Sequence, residues 1–116
     1  MSPRGWRLRI QDILDGFQDV KSFVEGMTVE QFQADKKTYL AVIRSLEVIG
    51  EAAHHVPDEV KQKHPQIPWR KIKDFRNVLI HEYFGVDNEI VWRTVHVDLL
   101  PLKAAFEKVL DSEPTE

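Results

Sequence analysis

One short stretch of the chain carries residue types suited to proton transfer and phosphate binding. Arg76 is followed directly by Asn77, then by His81 and, two residues further on, by Tyr83. Histidine exchanges protons near neutral pH because its unperturbed pKa is about 6.5. Arginine stays charged and can hold a phosphate through two hydrogen bonds. Together, these side chains suit the cleavage of a phosphodiester bond.

A single straight helix does not bring these side chains together. At about 100° per residue, Arg76 and Tyr83 point the same way, whereas His81 lies about 140° round from Arg76. Either the helix end distorts, the long arginine wraps round, or the same helix of a second subunit completes the site across a two-fold axis. We favour the dimer. Asn77 lies one turn from His81 and can orient the imidazole or contact phosphate.

Each of these residues also has an ordinary structural interpretation. A histidine near a helix C-terminus is stabilised in its charged form by the helix dipole, and a helix arginine often forms only a surface ion pair. Tyr83 alone would fit a core or interface aromatic residue with an anchored hydroxyl. Spacing therefore leaves the function of the stretch open.

Other catalytic and metal-binding motifs are incomplete or absent in the sequence. His81 and Glu82 begin like the zinc-protease helix motif, but Gly85 stands where a second histidine is required. There is no cysteine, no glycine-rich phosphate loop and no serine in a nucleophile elbow. The other histidines have no paired metal-ligand spacing; they are His54, His55, His64 and His96. We therefore expect no metal and no cofactor.

Charge is distributed unevenly along the chain. The net charge of −3 argues against a generally cationic surface for nucleic acid. Between Lys61 and Arg76, however, there are six basic residues and one acidic residue, Asp74, so this segment could attract phosphates. A solvated helix face would explain the same charges. Because no apolar run is long enough to span a bilayer and no export signal is visible, we expect a cytoplasmic protein.

Helical periodicity predicts the fold. Apolar residues recur at spacings of three and four over residues 8–24, 40–56 and 69–84, and no segment alternates as a strand would. Thr28 and Gln31 resemble a capping box, while Asn88 and Asp98 can cap two final helices. Gly50 and the small residues after it would let another helix approach closely. We predict one all-α domain over residues 1–112, an up-and-down bundle of about five to six helices, followed by a frayed tail at residues 113–116.

Beyond these local patterns, the chain resembles the HEPN superfamily, and specifically its HepT-type branch. The resemblance covers nearly the full length and rests on several segments in the same order. They are Leu46-Glu47-Val48-Ile49-Gly50-Glu51-Ala52, Ile67-Pro68-Trp69, the Arg76 to Tyr83 stretch, Phe84-Gly85-Val86-Asp87 and Val91-Trp92.

The resemblance implies a homodimeric helical bundle that cuts RNA without metal in a cleft lined by both subunits. Arg76 and His81 would be catalytic, with Asn77 in support. In this branch, the ribonuclease is the toxin of a toxin–antitoxin pair, and a partner minimal nucleotidyltransferase silences it by transferring AMP to the motif tyrosine, the position of Tyr83. Two alternatives stay open: a non-catalytic nucleotide- or partner-binding subunit of a two-component nucleotidyltransferase, and a plain structural dimer.

Overall fold

The computed structural model describes residues 5–82 and 87–112, and only the backbone of residues 81, 82 and 112. Within these ranges, every regular element is helical, which confirms the predicted all-α bundle. The first five helices are α1 (Trp6–Val24), α2 (Val29–Ala34), α3 (Lys36–His54), α4 (Asp58–Lys63) and α5 (Trp69–Glu82). The last helical run comprises α6 (Asn88–Arg93), a π-helical segment (Thr94–Leu99), a 3₁₀ turn (Leu100–Leu102) and α7 (Lys103–Ser112). The predicted tail, residues 113–116, lies outside the described residues.

Side-chain caps define where the helices start. The capping box predicted at α2 is present: the Gln31 backbone N–H donates to Thr28 Oγ1 at 3.1 Å, and the Thr28 N–H donates to Gln31 Oε1 at 2.9 Å. The start of α3 is set by Asp35, whose Oδ1 accepts from the Thr38 N–H at 3.1 Å. That backbone hydrogen bond, with one from the Thr38 hydroxyl, lowers the pKa of Asp35. Thus α3 begins before the first residue of its apolar stripe.

The last helical run differs from the two separately capped helices expected. Asp87, not Asn88, caps α6, with its Oδ1 accepting from the Glu89 N–H at 2.7 Å. No new helix starts at Asp98, because the π-helical segment continues through it. Pro101 cannot donate a backbone hydrogen bond, and the chain passes it by widening to π geometry and tightening to a 3₁₀ turn rather than by breaking.

The core lies between α1, α3, α5 and the last helical run. The Phe106 ring is fully buried and meets the rings of Phe17 and Trp69 edge to face, each at 5.5 Å between centroids. Gly16 allows α1 to lie close to α3, since a Cβ there would be 2.6 Å from Ile49 Cγ1. In turn, α3 packs along α5, so the helix that carries Arg76 is held by the centre of the bundle. None of the described helices combines the length and apolar character needed to cross a membrane.

Candidate active site

Arg76 lies on α5 and its side chain is only 21% exposed, because its stem packs against α3. The contact is with Gly50: a Cβ at that position would lie 2.6 Å from Arg76 Cβ and 2.9 Å from Cγ. The small residue therefore makes room for the arginine as well as for the approach of the two helices. This gives a physical role to Gly50, for which the sequence predicted close packing.

We expect Gly50→Ala to displace Arg76. Crowding in a packed interior costs about 1–3 kcal/mol, whereas the helix preference of Ala over Gly offsets about 1 kcal/mol, so the fold should survive. Gly16→Ala is the matched control, because its Cβ is equally crowded but meets Ile49 rather than Arg76. RNA cleavage, the activity that the family resemblance implies, should fall at least tenfold in Gly50→Ala while the two variants melt at similar temperatures. Equal cleavage by both variants would show that Arg76 does not depend on the Gly50 contact.

The guanidinium of Arg76 pairs with Glu51, the residue after Gly50. Arg76 Nη2 donates to Glu51 Oε2, and Glu51 Oε1 lies 3.0 Å from Nε2 of His55, the residue that caps the C-terminus of α3. The pKa of Glu51 is lowered, mainly by the hydrogen bond from His55; burial opposes this effect, and the positive charge of Arg76 adds a further, smaller lowering. The carboxylate therefore holds one end of the guanidinium on α3. A surface ion pair was the alternative interpretation of Arg76 in the sequence. The structure shows an ion pair, but the side chain of Arg76 is largely buried rather than at the surface.

The lowered pKa of Glu51 predicts how its contacts respond to acid. A carboxylate whose folded pKa is depressed contributes stability above its unfolded pKa, and that contribution is lost as the pH falls through the folded pKa. Glu51 is 46% exposed, so we expect less than about 1 kcal/mol. Free energies of unfolding should be higher for wild type than for Glu51→Gln at neutral pH and should converge below the lowered pKa. A difference that grows on acidification would contradict the assignment.

A surface pocket of about 300 Å³ opens beside this pair. Its charged side chains are balanced, three basic and three acidic: Arg9, Arg44, Arg76, Asp12, Glu47 and Glu51. Val48 and Ile80 also line it and are 39% and 42% exposed. The Nε atoms of Arg9 and Arg76 are buried, and neither has a hydrogen-bond partner within the described part of the chain. Buried donors without a partner are uncommon in folded proteins, and they distinguish these two arginines from the other charged residues of the pocket.

The other predicted site residues are placed only in part. Asn77 is half-buried on α5, and His81 follows it by one turn within the same helix. The side chain of His81 and all of Tyr83 lie outside the described residues, so their predicted roles stay predictions. Among the described residues, no group of three or more His, Asp or Glu side chains could hold a metal ion.

Two residues of the site were not identified from the sequence. Glu51 lay in a segment noted for its small residues, and an acid beside a glycine at a helix contact is a signal that could have been used. Arg9 is distant from Arg76 in sequence, and only the packing of α1 against α3 brings it to the same pocket. No local pattern marks it.

The fold and the site define a small all-helical bundle protein with a polar pocket built around an arginine. A family model described as "Ribonuclease HepT-like" matches residues 13–109. "Probable ribonuclease HepT" of Thermococcus cleftensis is 45% identical over 100 residues, covering 86% of this chain and 91% of the relative. A protein of Methanocaldococcus jannaschii, provisionally named as an RNase, is 45% identical over 95 residues, or 82% of this chain and 78% of the relative. No solved structure matches the chain.

The chain therefore belongs to the ribonuclease HepT-like family, as the resemblance in its motifs predicted.

Proposed function

We propose that this protein is an endoribonuclease that cleaves RNA without a metal ion, with Arg76 and His81 as its catalytic residues and Asn77 in support. The observation that carries the proposal is the placement of Arg76: its stem is fixed by Gly50, one end of its guanidinium is held by Glu51, and its Nε has no partner in the described chain. An arginine fixed in this way at a pocket wall is suited to an anionic ligand. The ribonuclease names of the family and its relatives indicate that this ligand is RNA.

The proposed reaction needs only the substrate and these side chains. His81 removes the proton of a ribose 2′-hydroxyl, whose oxygen attacks the adjacent phosphorus while the bond to the 5′-oxygen breaks. That oxygen takes up a proton from solvent, and His81 later returns its own proton to solvent. Arg76 stabilises the extra negative charge on the five-coordinate phosphorus. The products are a 2′,3′-cyclic phosphate and a 5′-hydroxyl end. Asn77 orients the imidazole or binds phosphate.

We propose further that the site lies in a cleft between two copies of the chain. Helix positions 76 and 81 lie about 140° apart, so one straight helix does not converge them. Exposed aliphatic side chains beside Arg76, namely Val48 and Ile80, are the kind of surface that a second subunit covers. Sedimentation equilibrium tests this, and a monomer at the concentrations used for cleavage would exclude a shared site.

The biological role proposed is that of a toxin controlled by an antitoxin. A partner nucleotidyltransferase would transfer AMP from ATP to the Tyr83 hydroxyl with release of pyrophosphate, placing bulk and negative charge near Arg76 and so excluding an RNA phosphate. This part of the proposal rests on the family resemblance. Intact-mass spectrometry after incubation with ATP and the product of a neighbouring nucleotidyltransferase gene tests it, and an adduct that maps to another residue would contradict it.

The ribonuclease activity is tested by incubating the purified chain with single-stranded RNA in excess chelator. We expect cleavage that persists with chelator, products that carry 2′,3′-cyclic phosphate ends, and no cleavage of DNA of the same sequence, which lacks the attacking hydroxyl. Cleavage lost with chelator would exclude the metal-free reaction. Tight binding of the nucleotidyltransferase with no RNA cleavage would favour the alternative of a non-catalytic subunit.

A further inference from the structure

A second pocket, of about 310 Å³, lies where the end of α3 meets α4 and the start of α5. Its lining is predominantly basic: the charged and ionisable side chains are His54, Lys61, Arg70, Lys73 and Asp74, and they surround Trp69. Trp69 anchors the pocket, since its Nε1 donates to the His64 carbonyl at 3.1 Å and its ring meets the buried Phe106. Lys61 extends over the Trp69 ring at 5.8 Å. The basic side chains therefore surround an aromatic ring, that of Trp69, whose position is fixed by its own contacts.

The basic side chains of this pocket have fewer acidic neighbours to balance their charge than those of the Arg76 pocket. Three lysine and arginine side chains face one carboxylate, Asp74, whereas the Arg76 pocket has three of each sign. Within the described residues, neither Arg70 nor Lys73 takes part in an ion pair, and both are exposed. A polyanion would therefore gain more electrostatic free energy here than at the balanced Arg76 pocket.

The basic pocket and the Arg76 pocket are both lined by residues of α5. Lys73 precedes Arg76 by one helical turn, about 5 Å along the axis, and is displaced from it by about 60° around the helix. Arg70 lies about 120° round in the same direction, with Asn77 at about 100°. All three fall within the arc between helix positions 76 and 81. A strand that crosses this arc would thus meet Lys73 and Arg70 next to the reacting phosphate.

We infer that this pocket is a binding subsite for the backbone phosphates of the RNA next to the cleaved bond, with Arg70 and Lys73 as its principal contacts and Lys61 at its far side. The inference rests on the proposed ribonuclease function for the identity of its ligand. It assigns affinity for RNA to the basic pocket and chemistry to the Arg76 pocket. Asp74 weakens the subsite through its negative charge.

The test is the binding of a labelled single-stranded RNA of about 12 nucleotides with 2′-O-methyl groups throughout, which the proposed reaction cannot cleave. Binding is measured by fluorescence anisotropy over a range of salt concentrations. Arg70→Gln and Lys73→Gln should each weaken binding about fivefold at roughly 0.1 M salt. Each should also reduce the slope of log affinity against log salt by about 0.7, since one phosphate contact is lost. Asp74→Asn should strengthen binding.

Lys37→Gln is the matched control, because this exposed lysine stands in the first turn of α3, about 25 Å along that helix from His54. It should leave affinity and salt slope unchanged. If Arg70→Gln and Lys73→Gln behave like this control while wild type binds, the subsite is excluded, whether or not the protein cleaves RNA. If both weaken binding as expected but wild type cleaves no unmodified RNA, the subsite is supported and the ribonuclease proposal fails.

Discussion

Arg76→Met should reduce RNA cleavage by a factor of about 10²–10³, as expected when one preorganised donor to a developing negative charge is removed. Methionine keeps an unbranched stem against Gly50, so the helix contact is preserved while the guanidinium is lost. Glu51 is 46% exposed and can be solvated once its partner is gone. Single-turnover rates with a short single-stranded RNA measure the effect. Arg76→Lys should lose less activity than Arg76→Met, because it retains the charge but not the paired donors.

Arg93→Met is the control for this substitution, since Arg93 is exposed in α6, away from either pocket. It should cleave at the wild-type rate. If the site is shared between subunits, mixing Arg76→Met with His81→Ala under conditions that exchange subunits should restore part of the activity that each lacks alone. Cleavage by Arg76→Met at the wild-type rate would exclude the catalytic role proposed for Arg76.

Phe106→Ala should lower the free energy of unfolding by about 3–5 kcal/mol, a large fraction of the roughly 5–15 kcal/mol that stabilises a domain. The ring has no exposed surface and packs edge to face against Phe17 and Trp69, so its removal leaves a cavity where α1, α5 and α7 meet. Chemical denaturation gives the free energy, and a fall of roughly 10–20 °C in melting temperature should accompany it.

Phe23→Ala provides the matched comparison for Phe106→Ala, because the same atoms are removed from a ring that is 40% exposed on α1. This variant should lose about 1 kcal/mol or less. Similar losses in the two variants would mean that the Phe106 cluster is not the centre of the core. The ring of Trp69 contacts Phe106 and also lines the basic pocket. Loss of the Phe106 ring should therefore displace Trp69 and weaken RNA binding as well.

Local patterns predicted the helices well, because their causes lie within a few residues. The apolar stripe ending at Val24 and the box of Thr28 with Gln31 both depend on contacts between near neighbours along the chain. The interpretation of Asp98 as a cap was wrong for a different reason. A potential cap ends or starts a helix only if tertiary packing does not favour continuing it, and here the buried Val95 and Leu99 keep the helical run on the core.

The candidate site could be predicted only as a set of residue types. Arg76 and Asn77 were identified from their own segment, whereas Glu51 and Arg9 join the site from α3 and α1. Such partners are set by the angle and distance at which helices pack, which depend on all the side chains between them. The same applies to the basic segment: its charges were visible in the sequence, but their arrangement around Trp69 was not.

The amino-acid sequence determined the family, because the Arg76 to Tyr83 stretch and the other matching segments are local properties that the chain carries into any fold, whereas spacing alone left the chemistry of that stretch open. Tertiary structure decided how Arg76 is used. Gly50 packs against its stem, and Glu51 accepts a hydrogen bond from one end of its guanidinium. The pocket around Arg76 has balanced charges, whereas the pocket one turn earlier on α5 is basic. These are contacts between helices distant in sequence, and electrostatic and packing energies depend on the distances that only the folded bundle establishes.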